Sequence, residues 1–379
     1  VTSSVWPLYA AACSAVLLSR CQLVACLDIC DAYMYGAWRA GALRTNTRVF
    51  SLAHTDAMSE RSKIGMPLIG LGTWKAPPGV LEEAVVAAVR GGYRHFDCAC
   101  DYGNEKEVGR GIAKAIADGL VTREELWVTS KLWNTYHAAE HVELALRKTL
   151  SDLGLDYVDL YLVHFPIPLK FVPFETLYPP EWVNPHSGKM EVASVSARET
   201  WGAMEKLPAL GLAKHIGVSN FAPALLMDLL ATCSIAPAVN QVELHPYLQQ
   251  RKLVEYCVSV GVEVTAFSPL GHASYVELGH AHSDGVVGIL NEPTLAAIGA
   301  AHGKSAAQIA LRYTVQRGCS IVPKSTNAGR MAENLALFDF ELSAAEMAQV
   351  AALERNLRFN DPGEFTKGMG MPAGYPIHG

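Results

Sequence analysis

The stretch WVTSKLWNTYHAAEHVELALRKTLSDLGLDYVDLYLVH, residues 127–164, decides the fold. Its ends, WVTSK (127–131) and VDLYLVH (158–164), read as short strands. Their apolar residues run on rather than alternate with polar ones, as in strands buried on both faces of a parallel sheet. Between them AAEHVELALRKTLSDL (138–153) carries apolar residues at 3.6 spacing, a helix with one buried stripe. Strand, crossover helix and parallel strand make one βαβ unit.

The unit repeats in both directions. Upstream, PLIGLGTW (67–74) and HFDCA (95–99) read as strands, with helices over 81–92 and 104–116. Downstream, strands are expected at 215–220, 239–243, 262–269 and 320–324, separated by helices near 198–210, 223–232, 249–259, 293–302 and 305–317. Eight strands, each followed by helix, in roughly 280 residues fit a closed (β/α)8 TIM barrel. An open doubly wound sheet is the alternative, but GLGTW lacks the third glycine of its dinucleotide fingerprint. Long loops follow strands 4 and 7 (165–197 and 270–292), and a C-terminal loop covers 355–379. Loops of this length in a compact domain are usually functional.

The chain has 379 residues, half of them apolar, and a net charge of −6 without any long basic block. That argues against a nucleic-acid surface. Of nine cysteines, four fall in the first 30 residues and none forms a CxxC pair, so a metal site is not expected. Residues 1–57 differ from the rest. They contain the apolar run VWPLYAAACSAVLL (5–18), short for a membrane span, and more arginine than acid up to residue 50. They are expected to be a leader, such as a mitochondrial-type presequence, or a non-native upstream segment. Residues 58–379 then form a single domain, expected in the cytoplasm as a monomer or weak dimer without membrane contact.

A barrel gathers the carboxyl ends of its strands at one rim, where active sites lie. The polar residues there include Asp97, Lys131 and His164, from strands two, three and four, with Tyr102 just past strand two. A phenol is a poor acid, with a free pKa of roughly 10. Lys131 beside it is expected to lower that value, with Asp97 keeping the ammonium charged and oriented. His164 can donate to an oxygen lying between itself and Tyr102, giving a polarised carbonyl with a proton donor at hand. Each residue also has a plain structural alternative: an ion pair for Asp97 and Lys131, a strand cap for His164, packing for Tyr102.

A proton donor facing a carbonyl needs an electron source, and a nicotinamide is the economical choice. Phe267 could stack on its ring, while Asn220 and Gln241 could hold its carboxamide with help from Ser219. Lys324, Ser325 and Arg330 place two cations and a hydroxyl at a helix start, suited to a ribose 2′-phosphate; the alternatives for Lys324 and Arg330 are a solvated face or a site for a substrate phosphate. Glu333 and Asn334 could meet the adenine edge. Trp74, Trp133 and Phe165, with Trp182 from the loop, would line an apolar substrate pocket beside Tyr102 and His164.

The ordered motifs GLGTW, RHFDCACDYGNEKEVG, VTSKLWNTYH, DLYLVHFP, IGVSNF, VNQVELHPY, SPLG, VPKS and RMAEN resemble those of the aldo-keto reductase superfamily, from about residue 64 to the tail. The resemblance implies an NADPH-dependent carbonyl reductase with the tetrad Asp97, Tyr102, Lys131 and His164. It also implies cofactor contacts from Gly72, Thr73, Trp74, Ser219, Asn220, Gln241, Phe267, Ser268, Leu270, Lys324, Ser325, Arg330, Glu333 and Asn334. Departures are Phe267 where the family often has Tyr, Phe165 where it often has Trp, and a bottom hairpin cut short at SKIGMP (62–67). The insertion FVPFETLYPPEWVNPHSG (171–188) is similar to that of xylose and aldose reductases, which favours small aldehydes and sugars. Two other readings are a nucleotide-sensing binding subunit without turnover and a lyase or isomerase using Lys131 as a Schiff-base amine.

Overall fold

The computed structural model describes residues 61–279 and 285–378; the segment 1–57 lies outside them. Eight strands follow in chain order: β1 (Leu71–Gly72), β2 (His95–Asp97), β3 (Trp127–Leu132), β4 (Val158–Val163), β5 (Ala213–Ser219), β6 (Val239–Glu243), β7 (Glu263–Phe267) and β8 (Ser320–Ile321). Each pairs in parallel with the next. The two edges also meet. Gly70 N donates to Ile321 O at 2.8 Å, Ile321 N to Leu68 O at 2.8 Å, and Gly72 N to Pro323 O at 3.1 Å. A ring closed in this way leaves no edge strand, and the parallel sheet fits a (β/α)8 barrel.

β1 and β8 are shorter than the sequence suggests. Pro323 carries no N–H, so it cannot donate to the ladder beyond β8. Isolated bridges, Ile69 to Ile321 and Gly72 to Lys324, carry the pairing beyond the short strands. A Cβ at Gly72 would lie 2.6 Å from Val322 O, so the close approach of these backbones requires glycine.

The helices between the strands are α1 (Leu81–Arg90), α2 (Glu105–Ala117), α3 (Ala139–Leu153), α4 (Ala197–Met204), α5 (Pro223–Leu230) and α6 (Arg251–Ser259). A short α7 (Ala273–Val276) precedes α8 (Pro293–His302), α9 (Ala306–Gln316), α10 (Ala328–Leu335), α11 (Ala344–Ala351) and α12 (Pro362–Phe365). Their starts follow local chemistry. A capping box of Ser305 and Gln308 opens α9, and Asn327 caps α10 by accepting from Arg330 N at 3.0 Å. The helix expected over 198–210 ends at Met204, four residues before Pro208, which cannot continue it. Val85, Val89, Val108, Ile112, Leu146 and Leu150 fill the layer between α1–α3 and the sheet. Among the described residues no helix is long and apolar enough to cross a membrane, and Cys98, Cys100, Cys233, Cys257 and Cys319 are free thiols.

Candidate active site

Parallel neighbours in register send their side chains to the same face. Asp97 pairs with Thr129 in the β2–β3 ladder, and Lys131 lies two residues further along β3, so the two side chains share a side. There Lys131 Nζ donates to Asp97 Oδ2 at 2.7 Å, to the Cys98 carbonyl at 2.9 Å and to the Tyr102 hydroxyl at 3.2 Å. An ammonium has three donors, and all three are spent. Since the phenol oxygen accepts from the ammonium, its own proton is free to point elsewhere. Tyr102 ends a short 3-10 turn, Cys100–Tyr102, closed by Gly103 at φ 70°. The His164 ring stands edge-on to Tyr102 at 5.8 Å. The four expected residues therefore meet at one place.

The phenol shifts in the opposite direction to that expected. The Tyr102 ring is partly open to the cleft, yet the protein packed around its hydroxyl raises its pKa well above the usual value, and Asp97 and Asp101 raise it further. The positive charge of Lys131 is offset at the phenol by the carboxylate it already holds. Tyr102 thus stays protonated at neutral pH.

Ser219, Asn220 and Gln241 come together at the ends of β5 and β6. Ser219 Oγ donates to Gln241 O at 2.7 Å. Asn220 Nδ2 donates to His164 O at 2.9 Å and to Ser219 Oγ at 3.2 Å, while its buried Oδ1 has no partner. Gln241 Nε2 donates to Asp97 Oδ1 at 2.7 Å. Both amides have committed their nitrogens inward. Lys75, Asn220 and Ser268, near the ends of β1, β5 and β7, have φ of 57°, 61° and 47°. Such left-handed backbone is unfavourable for residues with a Cβ and concentrates at functional sites. Phe267 is partly exposed, and among the described residues no other ring lies against it. Ser268 Oγ hydrogen-bonds the Tyr275 hydroxyl at 2.7 Å, and Leu270 is partly exposed nearby in sequence. Thr73 Oγ1, fully buried next to Gly72, donates to Asp97 O at 2.9 Å.

At the start of α10, Lys324 and Arg330 are exposed and Ser325 is buried. Glu333 is exposed, whereas Asn334 is buried against the Tyr93 hydroxyl. Around His164 the aromatics form a continuous wall. Trp133 lies 5.4 Å from His164, and Trp182 lies 5.0 Å from Trp133 and 5.1 Å from Phe165. Phe365, from the C-terminal tail, stands 5.2 Å from Trp182. Trp74 faces Tyr275 at 5.6 Å.

The model of the Aldo/keto reductase family matches residues 64–355. The chain belongs to the aldo/keto reductase family. It is similar to the NAD(P)H-dependent D-xylose reductase of Pachysolen tannophilus, 50% identical over 80% of this chain and 94% of that one. A probable NAD(P)H-dependent D-xylose reductase of Arthroderma otae is 48% identical over 81% and 93%. Among solved structures, a Bombyx mori aldo-keto reductase in complex with NADP is 41% identical, covering 79% of this chain and 94% of its own, with a TM-score of 0.70.

As an oxidoreductase of this family, the chain has site features that its sequence did not disclose. Asp101 Oδ1 lies 3.1 Å from His164 Nδ1, yet both are buried without a well-angled hydrogen bond. A carboxylate adjoining the candidate tyrosine in CDYG was the available signal. Lys75 Nζ bonds Glu277 Oε2 at 2.8 Å, tying the loop after β1 to that after β7. Glu243 accepts from His245 Nε2, Phe359 N and Asn360 N, each at 2.9 Å, pinning the tail to β6. No spacing in the sequence signals contacts between residues so far apart.

Proposed function

We propose that residues 58–379 reduce the carbonyl group of small aldehydes, open-chain aldoses such as D-xylose among them, to the alcohol with NADPH. The observation that carries this reading is the triple engagement of Lys131, which leaves the Tyr102 proton free. When bound, the nicotinamide supplies hydride to the carbonyl carbon. The chain's residues do the rest. Tyr102 gives its proton to the carbonyl oxygen, and Lys131 stabilises the phenolate left behind. Asp97 holds and aims the ammonium, and His164 orients the carbonyl. The same engagement disfavours a Schiff-base role, since a fully bonded ammonium has no lone pair to attack with.

The residues present suit the cofactor. The unpartnered Asn220 Oδ1 and the remaining carbonyl end of Gln241 offer acceptors for the two hydrogens of a carboxamide. The bare face of Phe267 suits the pyridine ring. Lys324, Ser325 and Arg330 suit a 2′-phosphate. For the substrate, Trp74, Trp133, Phe165 and Trp182 give apolar walls. The loops 165–197 and 270–292 and the tail 355–379 carry the choice of substrate. Every residue named comes from one chain, so a monomer or weak dimer suffices. Purified protein given NADPH and D-xylose is expected to consume the reduced cofactor and release xylitol. Absence of carbonyl-dependent oxidation across sugars, aromatic aldehydes, methylglyoxal and quinones would overturn the reading.

A further inference from the structure

Asp97 is 3% exposed, and each of its carboxylate oxygens has one side-chain donor. Oδ2 accepts from Lys131 Nζ and Oδ1 from Gln241 Nε2, both at 2.7 Å. Gln241 sits within β6, 144 residues along the chain, and is 2% exposed. Its orientation follows from chemistry: a carboxylate only accepts, so the amide nitrogen must face it. Among the described residues no other side chain donates to Oδ1.

We propose that Gln241 is a positioning residue for Tyr102, acting through Asp97 and Lys131. Three hydrogen bonds join the four residues, and all three are charge-assisted. Without the amide, Oδ1 becomes a buried acceptor lacking a donor, and the carboxylate is free to rotate about its Cβ–Cγ bond. The ammonium follows it. The 3.2 Å contact to the phenol is the longest of the Lys131 bonds and the first to be lost. One side chain would thus hold the cofactor's carboxamide with its oxygen while its nitrogen steadies the proton donor. Other groups facing this chain are Asp101, Tyr275 and Cys98 around the phenol, the His164 ring, and His95, which burial keeps neutral beside Asp97. None of them reaches Oδ1. The proposal rests on the carbonyl-reductase reading above.

Two substitutions test it. Gln241→Glu sets a second carboxylate against Asp97 Oδ1, and two buried like charges in contact cannot both ionise. The folded protein then holds a proton that the unfolded chain has released, so its stability relative to wild type falls as pH rises from about 5 to about 8. Tm of the cofactor-free proteins reads this directly. Gln241→Leu removes the bond without adding charge. At saturating NADPH its kcat is expected to fall about ten-fold or more and its pH profile to move, with NADPH affinity, followed by fluorescence, changing less. A Gln241→Glu protein whose Tm tracks wild type at every pH overturns the proposal. So does a Gln241→Leu protein that raises only the NADPH dissociation constant, with kcat and its pH profile intact. A wild-type protein inactive on every carbonyl overturns the reductase reading and this proposal with it; an active one leaves that reading standing and lets the variants decide.

Discussion

Lys131 spends its three donors on Asp97, the Cys98 carbonyl and Tyr102, which leaves the Tyr102 proton free to point elsewhere. Burial around the hydroxyl raises the pKa of the resting phenol, and Asp97 and Asp101 raise it further, so the nearby cation leaves it protonated. In the proposed reaction the cation matters once negative charge grows on the phenol oxygen, 3.2 Å away. The arrangement separates stability from chemistry in a testable way. Lys131→Met strands a buried carboxylate and should destabilise the fold by roughly 3–5 kcal/mol. Adding Asp97→Asn removes that stranded charge, so the double variant should recover most of the stability while turnover stays lost. Denaturant midpoints and steady-state rates on the three proteins check this; turnover returning in the double variant would contradict the role given to Lys131.

At the scale of elements, α2 begins with a residue that a surface helix would leave in water. Glu105 is 3% exposed and accepts from Ser130 Oγ at 2.6 Å and Thr149 Oγ1 at 3.1 Å. Burial pushes its carboxyl up to about 8 despite those two hydrogen bonds. The folded protein therefore keeps a proton that the unfolded chain loses above its ordinary carboxyl value. Stability from this site is complete below that value and declines, by up to about 1.4 kcal/mol per pH unit, until the pH reaches about 8. Glu105→Gln, neutral throughout, should flatten the decline; urea midpoints between about pH 5 and about pH 8 measure it, and an unchanged slope would contradict the assignment. The sequence showed α2 plainly through its apolar spacing, yet not this burial, because Ser130 and Thr149 reach Glu105 from β3 and α3.

For the whole molecule, the barrel was legible because each strand is a short apolar run closed by a polar residue. Asp97, Lys131 and His164 could be picked out for that reason. Contacts made across the ring were not legible. Gln241 and Asp97 are 144 residues apart, and Lys75 and Glu277 are 202 apart. The direction of the Tyr102 shift was missed for a related reason, since it depends first on how closely distant parts of the chain pack around its hydroxyl. β1 and β8 were read too long because their pairing where the ring closes is carried by isolated bridges, Ile69 to Ile321 and Gly72 to Lys324, on either side of the donor that Pro323 lacks. Cofactor choice also belongs to this scale, as the exposed cations Lys324 and Arg330 come from the segment that runs from the end of β8 into α10. Arg330→Ala should weaken NADPH binding roughly ten-fold while barely changing NADH binding, as read by fluorescence titration. Equal loss for both cofactors would place Arg330 elsewhere than on the 2′-phosphate.

The most direct measurement is a comparison of Tyr102→Phe with wild type, pairing NADPH titration with carbonyl turnover. The substitution removes one oxygen and leaves the ring. The predicted result is NADPH affinity within a few-fold of wild type, with turnover down by about a hundred-fold or more. Turnover close to wild type would contradict the assignment of the transferred proton to Tyr102.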